Sequence, residues 1–147
     1  MEANKRMIRA VLDTNIVVAS ERTNHPTSPN REIVDRWLRG EFTLLVSDDI
    51  LAEYTEKLLL LGKPPALIES FLTNFLLLAE PVRIIFFHLR HYPIDPDDIS
   101  FLLCAMNGEA THLVTYDSHL VDVGLFYTDF DTVAPTGFLE DLRREPL

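Results

Sequence analysis

The chain has 147 residues, of which 47% are hydrophobic and 24% charged, a composition typical of a globular protein with one core. Its single cysteine excludes an intramolecular disulfide and a multi-cysteine metal site, and it favours the reducing cytoplasm. The net charge of −10 argues against broad binding to nucleic acid through phosphate neutralisation, although bound cations can reverse the local charge of a site. The N-terminus does not resemble a signal peptide and the apolar runs are too short to cross a membrane, so we expect no membrane partner.

Short aliphatic segments alternate with longer amphipathic segments along the chain. Strands are predicted, in chain order, over 7–13, 42–47, 82–87, 111–117 and 131–135. Helices are predicted over 28–41, 48–62, 64–78, 95–109 and 135–145, with Ser47 as an N-cap. This order predicts an α/β protein, a three-layer α/β/α sandwich around a mostly parallel sheet of about five strands, and a single domain over 1–147.

Acidic residues stand where these predicted strands end or where the following helices begin. Because ligands of a parallel sheet bind beyond the carboxyl ends of its strands, we expect these side chains to share one edge of the sheet. The acids that four separate segments bring to this edge are Asp13, Glu53, Asp95 with Asp97 and Asp98, and Asp117. Burying a lone carboxylate is costly, so the position of Asp13 inside an apolar run indicates that it faces an acidic pocket.

Such a pocket has a predictable chemistry. Clustered carboxylates repel one another, so the pocket either raises the pKa values of its acids or binds cations. Oxygen ligands without cysteine or an obvious histidine pair suit Mg²⁺ or Mn²⁺ rather than Zn²⁺, and such ions promote phosphodiester cleavage. The polar neighbours expected to orient the ligands or the attacking water are Thr14, Asn15 and Thr115.

Each acid taken alone has a simpler interpretation. The aspartates are all placed to cap turns or helices, and Glu53 alone is typical of a solvated helix residue. Their convergence from four segments is what favours a shared site. The histidines expected to have structural or surface roles are His88, His91, His112 and His119. Cys104 lies among aliphatic residues and is expected to be a buried thiol.

The chain resembles the PIN-domain family in four segments that follow one another in the family's order: "VLDTNIVVAS", "LLVSDDILAEYTEKL", "DPDDISFLLCAMNGEATHLVTYDSHL" and "VAPTGFLEDL". The resemblance covers nearly the whole chain and is greatest to a branch of toxin–antitoxin components similar to VapC toxins. It implies a small parallel sheet flanked by helices and a metal-dependent ribonuclease activity.

Matched motif by motif, the resemblance implies the catalytic metal ligands Asp13, Glu53, Asp98 and Asp117. It implies a supporting role for Asp95, which belongs to the "DP.D" pattern. The sequence departs from the family's pattern at Asp97, where this branch often has a basic residue, and at His119, where other branches often add an acid.

The main hypothesis is a Mg²⁺- or Mn²⁺-dependent endoribonuclease that hydrolyses RNA phosphodiester bonds, as the toxin of a toxin–antitoxin pair. Single-stranded or looped RNA is the expected substrate because its nucleotides can be splayed into a pocket, with Arg22, Arg31 or Lys57 among the residues able to guide it. The apolar face between Leu67 and Leu76 is expected to serve a homodimer or an antitoxin, or else to be buried in the chain's own core. Two alternatives remain open, a Mg²⁺-binding phosphoryl-transfer module of the receiver type and a non-catalytic interaction protein with the PIN fold.

Overall fold

The computed structural model describes residues 7–22 and 28–144, over which five strands and seven helices alternate. The strands are β1 (Arg9–Leu12), β2 (Thr43–Val46), β3 (Glu80–Pro81), β4 (His112–Val114) and β5 (Asp131–Val133). The helices are α1 (Thr14–Arg22), α2 (Pro29–Leu38), α3 (Asp48–Leu60), α4 (Pro65–Leu78), α5 (Ile99–Asn107), α6 (Ser118–Gly124) and α7 (Pro135–Arg144). A short 3₁₀ turn over Pro96–Asp98 leads into α5.

The five strands form a parallel sheet in the order β3–β2–β1–β4–β5. β1 lies at its centre because Ala10, Val11 and Leu12 are apolar and fully buried on both faces. Leu12 of β1 is paired with Val114 of β4, so the residues that follow these two strands emerge at the same edge. Helices cover the sheet, and the predicted α/β fold class is confirmed.

Aromatic side chains hold α2, α3 and α4 together. The ring of Phe75 is 5.0 Å from the ring of Trp37 and 5.3 Å from that of Tyr54. The fully buried Tyr54 hydroxyl donates a hydrogen bond of 2.5 Å to the carbonyl of Leu12. This bond ties α3 to the end of β1 and brings the neighbouring Glu53 to the edge of the sheet where β1 ends.

The helix α6 lies very close to β5 at Gly124. A Cβ atom at this position would lie 2.6 Å from the Cβ of Thr132 and would clash with the Thr132 hydroxyl, so the close approach requires glycine. Because Asp117 directly precedes α6, this contact helps to fix the position of an acid at the other end of the helix.

The prediction of a third strand over 82–87 is wrong. The strand that pairs with β2 is Glu80–Pro81, and the chain that follows it is irregular. An aliphatic and aromatic run predicts a buried strand, whereas here only Val82 is buried and Ile84 half-buried, and the last three side chains point into solvent. The exposed fractions are 71%, 59% and 69% for Ile85, Phe86 and Phe87.

Two short helices, α1 and α6, are absent from the sequence prediction. Each follows directly on an acid, α1 on Asp13 and α6 on Asp117. The N-cap at Ser47 is confirmed, because its hydroxyl accepts a hydrogen bond of 3.4 Å from the backbone N–H of Ile50. Within the described ranges, no helix combines the length and apolar character that a membrane crossing requires.

Candidate functional site

The acids predicted to meet line one open pocket at the carboxyl edge of the sheet. Asp13 follows β1 directly, Asp117 lies between β4 and α6, Asp98 ends the 3₁₀ turn, and Glu53 lies in α3. The residues that line the pocket are Asp13, Thr14, Asn15, Glu53, Glu56, Lys57, Asp95, Asp97, Asp98 and Asp117. The structure thus brings together all the predicted site residues except Thr115, which is fully buried behind Asp13.

The carboxylate of Asp13 is held by three hydrogen bonds. Its Oδ2 accepts a bond of 2.6 Å from the Thr115 hydroxyl, and the backbone N–H groups of Thr14 and Asn15 also donate to it. Burial raises the pKa of Asp13, and the charge of Asp117 adds to this rise, while the three hydrogen bonds oppose it. The Thr115 hydroxyl also accepts a bond of 3.0 Å from the backbone N–H of Asp117, so one buried hydroxyl positions both acids.

Asp98 is the acid that the protein itself satisfies least. Only 7% of the residue is exposed, and its Oδ2 is buried without a hydrogen-bond partner in the described part of the chain. Burial raises the pKa of Asp98 to about 7, and the carboxylates of Asp13, Asp117 and Asp95 contribute to this rise. The carboxyl groups of Asp98 and Asp117 are also close enough to share a hydrogen bond. Such a group requires either a proton or a cation at neutral pH.

Glu53 enters the pocket from α3. Its carboxylate accepts a hydrogen bond from the Thr14 hydroxyl, which is itself buried. Burial raises the pKa of Glu53, and the charges of Asp13 and Asp97 add to the rise, while Thr14 and the Lys57 ammonium lower it. The contact fixes the side chain of Glu53 against the start of α1.

The capping interpretation is correct for Asp13, which accepts from the first N–H groups of α1, and for two further acids. Asp95 Oδ1 accepts a hydrogen bond of 2.9 Å from the backbone N–H of Asp97, and Asp117 Oδ1 accepts one of 2.9 Å from the N–H of His119. Each of the latter two caps uses one carboxylate oxygen and leaves the other available to a ligand. Capping and ligand binding therefore do not exclude one another at this edge.

Two further residues of α3 line the pocket. Glu56 is absent from the sequence prediction, and Lys57 is named there only as a basic residue able to guide RNA. Both follow Glu53 at the i+3 and i+4 spacing that places helix residues on one face, which is the signal that would have found them. Of the other basic candidates, Arg31 forms an ion pair within α2, and the side chain of Arg22 lies outside the described residues.

The pocket is strongly acidic and its ligand atoms are oxygens. Seven carboxylates face it, with one ammonium group, that of Lys57. Carboxylate, hydroxyl and amide oxygens are the ligands that Mg²⁺ and Mn²⁺ prefer in proteins. Together with the unpartnered Oδ2 of Asp98, this set of ligand atoms fits a hard divalent cation.

A second acidic group lies at the opposite edge of the sheet, where β4 and β5 begin. His112 Nε2 is 2.9 Å from Asp141 Oδ2, and its Nδ1 is 2.8 Å from the Thr111 hydroxyl. Over residues 7–22 and 28–144, His112, Asp131 and Asp141 are the one group of three whose ligand atoms lie within 4.8 Å of one another. The pocket acids are spaced more widely, as suits Mg²⁺, which binds through one or two carboxylates and retains several waters. His112 is buried and hydrogen-bonded, as the sequence predicts.

The remaining histidines and the cysteine lie outside the pocket. The His119 side chain is 62% exposed, which confirms a surface position. Cys104 is buried as predicted, and its burial raises the pKa of the thiol to about 12. His91 stacks on Phe126 with ring centroids 4.7 Å apart.

Comparison with known proteins identifies the fold. Residues 9–119 match the model of the PIN domain family, whereas no curated protein has significant sequence similarity to the chain. VapBC2 from Rickettsia felis, bound to a DNA fragment from its promoter, is 20% identical over 86% of this chain and 98% of that chain, with a TM-score of 0.56. PAE2754 from Pyrobaculum aerophilum is 16% identical over 97% of this chain and 95% of that chain, with a TM-score of 0.53. At these identities the likeness to both structures is one of fold.

Proposed function

Because the chain belongs to the PIN domain family, we propose that it is an endoribonuclease that uses Mg²⁺ or Mn²⁺ to hydrolyse RNA phosphodiester bonds. PIN domains are typically nucleases. The observation that carries the metal requirement is the buried, unpartnered Oδ2 of Asp98 in a pocket of seven carboxylates. A divalent cation would satisfy this oxygen and offset the repulsion among the acids.

The proposed ligands of one or two ions are Asp13, Glu53, Asp98 and Asp117. When bound, such an ion supplies positive charge that stabilises the reacting phosphate and lowers the pKa of water. The chain itself supplies positioning, because Thr115 fixes Asp13 together with the backbone at Asp117, and Thr14 fixes Glu53. Groups held in place before the substrate binds need little reorganisation during the reaction.

Three further pocket residues are proposed to contact RNA. Lys57 offers an ammonium group that suits a phosphate oxygen. Asn15 is exposed at the pocket and offers both a donor and an acceptor, and Asp95 retains one carboxylate oxygen at the rim. Water would attack the phosphorus in line with the leaving oxygen, without a covalent intermediate on the protein.

The test compares the cleavage of single-stranded and hairpin RNAs by the wild type and by Asp13→Asn, Asp98→Asn and Asp122→Asn, in Mg²⁺, Mn²⁺ or EDTA. Asp122 is an exposed acid of α6 outside the pocket and serves as the matched control. We expect the two pocket variants to lose about 10²-fold or more in kcat, because each removes a charge that holds the ion. Equal activity in all three variants, with circular dichroism showing folded proteins, would contradict the proposal.

We extend the proposal to a toxin restrained by an antitoxin protein in the cytoplasm, because the chain shares its fold with VapBC2. Induced expression of the wild type is expected to arrest growth, whereas expression of Asp98→Asn is not. Co-expression of a short neighbouring reading frame with a DNA-binding pattern is expected to restore growth. If expression of Asp98→Asn arrested growth as strongly as expression of the wild type, the toxicity would not depend on the pocket, and the proposed toxin mechanism would be wrong.

A homodimer is the proposed assembly. Of the apolar face predicted between Leu67 and Leu76, Ile68 and Phe75 are buried within the chain, whereas Leu76 is 74% and Leu77 75% exposed. The outer leucines at the end of α4 are therefore the ones available to a second copy. Light scattering is expected to show a dimer for the wild type and a folded monomer for Leu77→Glu, and a monomeric wild type would refute this assembly.

The receiver-type alternative lacks a residue that its chemistry needs. Such modules use a lysine at the end of a late strand, whereas the lysine that lines this pocket, Lys57, belongs to α3. A stable phosphoryl adduct after incubation with a small phosphodonor, detected by mass spectrometry, would favour that alternative over hydrolysis.

A further inference from the structure

An exposed apolar surface extends from Ile94, next to the acidic pocket, to the far end of α5, where Asn107 holds Ile85 and Phe86. Its members belong to the irregular segment between β3 and the 3₁₀ turn and to the two residues after α6. They are Ile85, Phe86, Phe87, Tyr92, Ile94, Leu125 and Phe126, each more than half exposed, and we call them the aromatic strip. An exposed apolar surface of this kind marks an interaction site more often than chance solvent exposure.

Side chains from neighbouring elements hold the backbone of the strip in place. Asn107 Oδ1 accepts hydrogen bonds of 2.8 Å and 2.9 Å from the N–H groups of Ile85 and Phe86, and its Nδ2 donates one of 2.9 Å to the Phe86 carbonyl. The Tyr127 hydroxyl donates a bond of 2.7 Å to the carbonyl of His91. Although the segment is neither helix nor strand, its rings are therefore presented from a fixed backbone.

The segment that forms most of the strip also carries two exposed arginines, Arg83 and Arg90. Among the arginines whose side chains the structure describes, six form ion pairs, and only Arg83 and Arg90 do not. The residues from 81 to 94 include no aspartate or glutamate, although the chain has 23 acidic residues in all. Two unpaired guanidinium groups among exposed rings suit an anionic ligand with flat apolar groups.

The strip leads directly into the pocket. Ile94 is adjacent to Asp95, which lines the pocket, and Asn107 holds the other end of the strip at the end of α5. At 1.5 Å per residue, α5 separates Asn107 from the Asp98 end by about 14 Å, a length that several nucleotides span. An RNA strand that ran from the pocket along α5 would pass the exposed rings.

We propose that the aromatic strip binds the bases of single-stranded RNA whose scissile phosphate lies in the pocket, with Arg83 and Arg90 contacting neighbouring phosphates. Stacking of bases on aromatic rings and contacts of arginine with phosphates are the means by which proteins bind single strands without reading a fixed sequence. A protein partner would need acidic side chains placed opposite both arginines, whereas every nucleotide of an RNA strand supplies a phosphate and a flat base. This inference rests on the proposed function, because it assigns the substrate to the same pocket.

The experiment measures binding of a fluorescent eight-nucleotide RNA, single-stranded or as a duplex, to the wild-type protein in Mg²⁺. The RNA carries phosphorothioate linkages that resist hydrolysis, so that turnover does not interfere. We expect the single strand to bind more tightly than the duplex. Adding Phe87→Ala or Phe126→Ala is expected to weaken single-strand binding roughly tenfold, because each removes a stacking surface. Leu60→Ala, which truncates a 73% exposed leucine of α3 far from the strip, is the matched control and is expected to change nothing.

A second readout isolates the arginines. The double change Arg83→Gln with Arg90→Gln is expected to reduce the slope of log Kd against log salt by about 1.4, because each phosphate contact with a single strand contributes about 0.7. This readout does not depend on the ring variants, and thermal unfolding checks that each variant remains folded.

The outcomes separate this inference from the proposed function. Cleavage by the wild type with unchanged single-strand binding in the ring variants and an unchanged salt slope would overturn the inference and leave the nuclease intact. Failure of the wild type to cleave any RNA would overturn the proposed function. A dimer that Phe87→Ala or Phe126→Ala converts to monomers, with RNA binding unaltered, would identify the strip as a protein interface and would also overturn the inference.

Discussion

The acids on the surface formed by α2 and α7 differ from those in the pocket in how their charge is compensated. On the surface formed by α2 and α7, Glu32 is bonded to Arg36 at 2.9 Å and to Arg143 at 2.9 Å, and Arg36 also reaches Glu41. In the pocket, by contrast, seven carboxylates have a single lysine among them. The acids of the surface network are paired with arginines, whereas the pocket acids have hydrogen-bond donors but almost no opposite charge within the chain. This uncompensated charge is the reason for proposing them as metal ligands.

The largest expected difference between the two groups of acids is in how much Mg²⁺ stabilises the folded protein. If the pocket acids are ligands, Mg²⁺ at 100 times its Kd should raise the free energy of unfolding by about 2.7 kcal/mol, because it binds only the folded state. Thermal unfolding of the wild type in Mg²⁺ and in EDTA measures this difference. Asp98→Asn should lose most of the gain and Asp122→Asn should keep it, and equal gains in all three proteins would refute a site at Asp98.

A smaller effect should appear in the metal-free protein as the pH changes. The pKa of Asp98 is about 7 in the folded chain against an ordinary value of 3.8, so ionising this carboxyl is easier after unfolding. The contribution of Asp98 to the free energy of unfolding is therefore most favourable below pH 3.8, and it decreases as the pH rises toward 7. The whole shift would correspond to about 4 kcal/mol. Because solvent in the open, metal-free pocket screens the charges, we expect a loss on the order of 1–2 kcal/mol, measured by urea unfolding in EDTA. Asp98→Asn should flatten this dependence, and an identical slope in that variant would contradict the assignment.

The smallest effect belongs to the paired acids. Although burial raises the pKa of Glu32, its bonds to Arg36 and Arg143 lower it on balance, so Glu32 contributes stability above pH 4.5 that is lost as the pH falls. Glu32→Gln is expected to destabilise the protein by only about 0.5 kcal/mol, with less effect at high salt. Cleavage activity should stay at the level of the wild type, since the network lies outside the pocket.

Most of this arrangement is predictable from the sequence, because parallel strands bring the residues that follow them to the same edge of the sheet. Asp13 and Asp117 end aliphatic runs that become β1 and β4, and the pairing of these strands brings the two acids together. Thr115 was identifiable because it belongs to the same turn. Its two hydrogen bonds, one to Asp13 and one from the backbone of Asp117, depend on how the strands pack and are not visible in the pattern.

The errors have physical causes as well. The run from Val82 to Phe87 has the composition of a buried strand, but composition does not report exposure. Only Val82 is hydrogen-bonded to the neighbouring strand, at the carbonyl of Val46, and Asn107 holds the exposed part of the segment at Ile85 and Phe86. The helices α1 and α6 are short, so their periodicity is brief and their starting caps coincide with the acids of the site. Glu56 is missing from the prediction although its i+3 spacing from Glu53 places it on the same face of α3, because on its own it has the pattern of a solvated helix residue.

The tight contact at Gly124 fixes one end of α6, and Asp117 lies directly before the other end. Any larger residue at position 124 would push the helix away from Thr132 and would shift Asp117 at its other end. The proposed activity should therefore be sensitive to a substitution that never meets the substrate.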